Sequence, residues 1–360
     1  MTFLPKPLKG RGAVTQPKGR FESTSVEPFD DEWGSLEDTV TESIETQLFA
    51  EKSRSIITHN DSPDVGFDRS INPYRGCAHG CVYCYARPAH SYMNLSPGLD
   101  FETKLFYKPD AARLLREELR KPGYECRLIH VGGNTDPYQP IERDVGITRQ
   151  VLEVLLEFQH PVSIITKGAA LMRRDLDVFA RLAEHNLVRV AVSVTSLKDE
   201  LKRTLEPRTS NASLRLKLIR ELAGLGIDVT VMAAPMIPFV NDMELESILE
   251  AAADAGAKSA GYVTLRLPWE VRDIFRAWLD AHLPARADHV MSLVEQMHGG
   301  RAYEAQWHVR QRGTGAYATL FAKRFEVACK RLGLNAPGRR AADATRFRVP
   351  PESGDQLALL

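Results

Sequence analysis

From about residue 68 the chain alternates short β-rich apolar runs with amphipathic helical stretches, a pattern that commits it to a parallel sheet flanked by helices. The runs 128–131, 162–165, 188–192, 229–232 and 262–265 read as strands, and one more ahead of Cys77 brings the number to six. The helices between them have recognisable ends. Asp144 is expected to cap a run with Val151, Leu152, Leu155 and Phe158 on one face, and Asn211 to cap another closed by Gly226. A third, 242–255, stops at Gly256. Six strand–helix units in roughly 200 residues predict an α/β fold, a partial (β/α)6 TIM-like barrel. In such barrels function gathers where the strands end.

The flanks read differently. Residues 1–60 begin with Lys6, Lys9, Arg11, Lys18 and Arg20 and continue through an acidic stretch, so they are expected to form a disordered N-terminal arm, with Phe29 and Trp33 as candidate anchors. The core barrel is placed at 61–283, a helical, basic C-terminal extension at 284–335 and a disordered tail at 336–360. Between 301 and 349, eleven Arg or Lys stand against Glu304, Glu326 and Asp343, a net of +8, with Tyr303, Trp307, Tyr317 and Phe321 interspersed. That composition suits DNA or RNA through phosphate contacts and stacking, and equally a solvated helix face with a loose tail. Over all 360 residues the charges balance at 47 of each sign, so the global charge selects no partner. No apolar run reaches the roughly 20 residues that span a bilayer, and no secretory pattern follows Met1, so the expectation is a cytoplasmic protein with no membrane contact. Cys126 and Cys329 read as ordinary core or helix residues.

The other three of the five cysteines, Cys77, Cys81 and Cys84, form a CxxxCxxC loop. Thiolates crowded in this way hold an iron–sulfur cluster or zinc. Zinc and a four-iron cube both take four ligands. Three cysteines therefore leave one metal position to something other than protein, unless His79 or His90 completes a zinc site.

With its aromatic residue before the last cysteine, the loop resembles that of the radical S-adenosylmethionine superfamily, and residues 70–335 resemble the subfamily of spore photoproduct lyase and related DNA-repair-like radical proteins. The resemblance implies a 4Fe-4S cluster on Cys77, Cys81 and Cys84 and S-adenosyl-L-methionine on the open iron. It also implies cleavage to a 5'-deoxyadenosyl radical, a low-potential donor of flavodoxin or ferredoxin type, and the same partial barrel. Tyr83 would lie against the adenine, and Gly132, Gly133 and Asn134 match the segment that binds the methionine amino group, although Asn134 replaces the usual acid. Lys167 and Ser193 fall where that subfamily's cofactor contacts lie. A hydrogen-donating cysteine of the lyase is absent, since Gly132-Gly133-Asn134 occupies its place, so thymine-dimer repair is not expected.

The strand ends also carry these groups as plain chemistry. Paired glycines admit close backbone approach, Asn134 offers a donor and an acceptor, Lys167 an ammonium and Ser193 a hydroxyl, whereas a glycine turn and a surface lysine are the bland alternatives. The segment 233–238 exposes backbone and apolar surface. Tyr85, Asp136, Tyr138 and Glu142 are the candidate catalytic residues at the mouth, against alternative roles as turn, packing aromatic and helix-leading acid. Three functions follow: a radical enzyme on nucleic acid or a nucleotide-like substrate, a radical enzyme on a peptide or small metabolite, and a zinc-stabilised nucleic-acid-binding module.

Overall fold

The computed structural model describes residues 7–21, 44–338 and 341–351. Its sheet holds six parallel strands, β1 (Arg69–Ile71), β2 (Ile129–Val131), β3 (Val162–Thr166), β4 (Val188–Ser193), β5 (Val229–Met236) and β6 (Ser259–Thr264), side by side in chain order. A seventh strand, Ile57–His59, runs antiparallel along β1 and covers that edge. Alternate side chains point to opposite faces of a strand. Val162, Ile164, Val190, Val192, Val229 and Val231 are buried in the core, while Ile165, Met232, Ala234 and Val263 line a cavity.

The crossovers contain α1 (Ala111–Leu119), α2 (Ile147–Glu157), α3 (Leu176–Glu184), α4 (Ala212–Gly224) and α5 (Leu245–Asp254). Asn211 caps α4 as expected, its carboxamide accepting from the Leu214 amide at 3.0 Å. The cap expected of Asp144 is not formed: Gly146 in left-handed conformation opens α2, and Glu142 accepts from the amides of Thr148 (3.0 Å) and Arg149 (3.4 Å). Glu142 reaches back over Gly146, so the acid that serves α2 lies further upstream than local spacing suggests.

After β6 the chain inserts α6 (Val271–His282) and α7 (Ala287–Met297), whose buried faces gather Ile274, Phe275, Trp278 and Val290 with Val82 and Tyr83 of the cysteine loop. It then returns as α8 (Gly315–Leu332), which lies on α5 and β6. Tyr262 meets Phe321 and Phe325 at 5.1 and 4.7 Å between ring centres, and Arg324 pairs with Glu246 at 2.6 Å. Thus the segment expected as an extension supplies the sixth barrel helix, because its apolar stripe is what covers β6.

Both disordered flanks need correction within the described residues. In the arm, Ala13 and Val14 are buried, Arg11 donates to the Glu102 carbonyl at 3.0 Å, and Gln47–Ala50 pairs in parallel with Lys104–Tyr107. Phe29 and Trp33 lie outside the described residues. In the tail, Phe347 packs 5.5 Å from His160 and the Arg348 amide donates to Phe158 at 3.0 Å, beside the turn that leads into β3 and so at the amino end of the strands. Charge counting missed these segments because their few apolar side chains and their backbone groups find partners far away in sequence.

Candidate cofactor and radical site

The cysteine loop leaves the short strand Tyr74–Arg75, crosses the carboxyl ends of the barrel strands and enters a 3-10 helix at Arg87. Gly76 and Gly80 hold left-handed backbone (φ +75° and +69°) that lets the loop fold tightly. Buried Arg87 ties it down, donating to the carbonyls of Cys81 (3.0 Å), Pro97 (3.1 Å) and Gly98 (2.8 Å) and pairing with Glu102. Glu102 in turn accepts from the amides of Gly12 (3.0 Å) and Ala13 (2.8 Å). From the other side Gln139 accepts from the Ala78 amide (2.8 Å) and donates to the Gly76 carbonyl (3.1 Å).

Cys77, Cys81 and Cys84 are free thiols on the wall of one cavity of about 280 Å³. The same wall carries Gly132, Asn134 and Asp136 after β2, Lys167 after β3, Ser193 at the end of β4, Ala234 in β5, and Tyr83 and Tyr85 of the loop itself. Most of the expected cofactor-binding residues therefore converge. Gly133 faces an adjoining cavity, and its carbonyl accepts from the Tyr85 hydroxyl. Gly132 (φ +96°) has no room for a Cβ, which would meet Pro137 at 2.6 Å.

Two candidate catalytic residues are displaced from the cavity. Tyr138 is fully buried with its hydroxyl donating to Asp175 at 3.0 Å, and Glu142 is buried under Tyr74, Arg174 and the start of α2. Both are structural because their polar atoms are consumed by neighbours below the mouth. Asp136 reaches the cavity but accepts from Thr166 (2.6 Å) and the amides of Lys167 (2.7 Å) and Tyr138 (2.9 Å), and lies 3.3 Å from His79. It organises the floor. Burial opposes charge on His79, yet Asp136 and Cys77 outweigh it and push its pKa up to about 10.

Sequence reasoning missed Glu206, Arg215 and Thr195. The Glu206 carboxylate, buried below the cavity, accepts from Tyr83, Thr195 (2.6 Å) and Arg215 (2.5 Å), with Lys167 Nζ at 3.8 Å. Burial works against its charge, but Arg215 and Lys167 prevail and hold it at about 2. Lys167 also donates to the Ala234 carbonyl at 3.2 Å, so its ammonium is fixed at the mouth. Glu206 carried no sequence signal beyond being one acid after a short charged helix.

Three thiols on one cavity wall are a donor set that suits an iron–sulfur cluster with an open corner. Burial pushes the thiols of Cys81 and Cys84 up, so they need a cationic centre to ionise. His79 faces Asp136 at 3.3 Å through Nδ1 and lines the cavity, whereas His90, whose Nε2 meets the Lys104 carbonyl at 3.0 Å, is not among the described residues that line it. No helix among the described residues is long and apolar enough to cross a membrane.

A family model described as the radical SAM superfamily matches residues 71–252. An uncharacterized protein of Mycobacterium tuberculosis is 39% identical over 215 residues, covering 59% of this chain and 63% of its own length, so the chain spans under two thirds of that relative. One of Methanocaldococcus jannaschii is 28% identical over 174 residues, 48% of this chain and 62% of its own. Among solved structures, spore photoproduct lyase complexed with dinucleoside spore photoproduct superposes with a TM-score of 0.57 at 15% identity over 80% of both chains, a likeness of fold.

Proposed function

The chain belongs to the radical SAM superfamily, and from that premise we propose that it is an enzyme in which Cys77, Cys81 and Cys84 hold a 4Fe-4S cluster that binds S-adenosylmethionine. When bound, the pair supplies a 5'-deoxyadenosyl radical that abstracts hydrogen from a substrate. The observation that carries this reading is the trio of free thiols on one cavity wall, with Asn134, Lys167 and Ser193 lining the same space.

The chain's own residues divide the remaining work. Lys167 presents its ammonium to the cofactor carboxylate, with Glu206 and the Ala234 carbonyl setting its position. Asn134 and Ser193 offer hydrogen bonds from neighbouring strand ends. Tyr83, whose hydroxyl is anchored on Glu206, would lie against the adenine, and Met232, Ala234 and Val263 give an apolar wall that excludes water. The reductant is a low-potential flavodoxin- or ferredoxin-like protein.

The test is anaerobic reconstitution with iron and sulfide, iron counting, reduction, and assay for 5'-deoxyadenosine from S-adenosylmethionine. About four irons per chain and deoxyadenosine formation support the reading. A colourless protein that retains zinc, or an intact cluster that never cleaves the cofactor, overturns it.

A further inference from the structure

Beside the first cavity opens a second of about 560 Å³, and the two share Tyr85, Asn134 and Arg266 on their common wall. Among the described residues the second chamber is lined by Arg75, Lys108, Arg266 and Arg310 and by no carboxylate. Two of these cations are already compensated, Arg75 by Glu51 at 2.8 Å and Arg310 by Asp64. The other two form no ion pair or side-chain hydrogen bond among the described residues: Lys108, only 8% exposed, feels Glu51 without pairing with it, since that acid is bonded to Arg75, and Arg266 lies 4.1 Å from the Tyr85 ring centre. A buried ammonium without a close counter-ion costs stability. A wall that keeps one, beside a free guanidinium, is built to receive an anion.

The rim adds flat surfaces. Trp269 is 58% exposed, and its backbone is left-handed (φ +48°), a conformation unfavourable for a bulky side chain and concentrated at binding sites. Tyr303 stands 6.4 Å from it and Arg20 lies 4.0 Å over the indole. Tyr303 and Arg310 come from the basic 301–349 stretch, so the fold brings only its first part to the mouth, while 341–351 packs at the opposite end of the strands.

We propose that this chamber binds the substrate of the radical chemistry, which makes the inference rest on that reading, and that the substrate is a nucleotide unit, free or within a strand. Lys108 and Arg266 meet its phosphates, Trp269 and Tyr303 its base, and the shared wall brings its sugar or base beside the cofactor cavity.

The experiment uses the full chain and a fluorescein-labelled single-stranded DNA decamer, read by anisotropy, with thymidine monophosphate and polyglutamate as competitors. Binding that weakens as salt rises is expected, with roughly a 10-fold loss in Trp269→Ala and a comparable loss plus a shallower salt slope in Lys108→Gln. If Lys108→Gln lowers the melting temperature, Lys108→Arg must restore binding. Competition by the mononucleotide assigns a free nucleotide and its failure assigns a strand; both support the proposal. Polyglutamate competing as well as the unlabelled decamer, unchanged affinity in both variants, or no binding of either nucleotide probe overturns it. Deoxyadenosine formation by the unsubstituted protein is measured alongside. Cofactor cleavage without nucleotide binding defeats the chamber alone, and nucleotide binding without cofactor cleavage defeats the radical reading alone.

Discussion

A Cβ placed on Gly12 would stand 1.8 Å from the carbonyl oxygen of Gly80, so the N-terminal segment runs in backbone contact with the cysteine loop. Two adjacent amides of that segment then saturate Glu102, the acid that neutralises the buried guanidinium beneath the loop. A segment outside the barrel therefore braces the three cysteines from behind.

Gly12→Ala is expected to push the segment off the loop. Overpacking against backbone costs about 1–3 kcal/mol, visible as a lower melting temperature and fewer irons retained after anaerobic desalting. Gly66→Ala, where nothing lies within 4 Å, is the control. Equal iron retention in both variants would show that the brace is dispensable.

Cys81→Ala should abolish cluster retention, whereas Lys167→Ala should leave the iron in place and weaken S-adenosylmethionine binding roughly 10-fold or more, the worth of a charge-assisted hydrogen bond. Equilibrium binding to the anaerobic, reconstituted variants separates the two effects. An unaltered dissociation constant in Lys167→Ala would remove the carboxylate contact from the site.

Tyr138→Phe removes a hydroxyl that bonds to Asp175, a carboxylate still held by Arg149 (3.1 Å) and Arg174 (3.0 Å). The loss should be about 1 kcal/mol of stability, with deoxyadenosine formation per folded molecule unchanged. A fall in that rate at unchanged melting temperature would return Tyr138 to the chemistry.

Acid should destabilise the fold before the carboxylates titrate. Burial lowers the pKa of His160 and of His90 to about 4, although the carbonyls of Pro161 and Lys104 partly oppose it. The unfolded chain binds these protons near the ordinary value of roughly 6.5, so between about pH 6.5 and 4 it holds more protons than the folded chain. Stability is full above that window and falls as pH drops through it, by on the order of a few kcal/mol. Denaturant midpoints from pH 7.5 to 4 should show the slope, and His160→Gln should make it shallower by its own share, with His90 and His130, also lowered by burial to about 4, keeping theirs. A parallel slope in that variant would place the titration elsewhere.

Six strands in order, the cap at Asn211 and the cysteine loop were legible in the chain because each is a local matter: period-two burial, a side chain three residues from the amide it serves, three thiols within eight residues. The cap assigned to Asp144 failed for the complementary reason, since Glu142 serves α2 across an intervening left-handed glycine. Within the described residues parts of both flanks pack against the core, which charge counting does not reveal because the partners of Arg11 and Phe347 lie far along the chain.

By itself the sequence determined the parallel barrel and the sulfur donors, since hydrophobic periodicity and ligand spacing act over a few residues. Only the tertiary structure decided which acids are structural and which face the mouth. A buried carboxylate survives only where opposite charge or donors meet it, and those come from Tyr74, 68 positions before Glu142, and from Tyr83, 123 positions before Glu206. The second chamber is of the same kind: Lys108, Arg266 and Trp269 look like scattered surface residues until folding sets them around one space and leaves two positive charges there without an ion pair among the described residues.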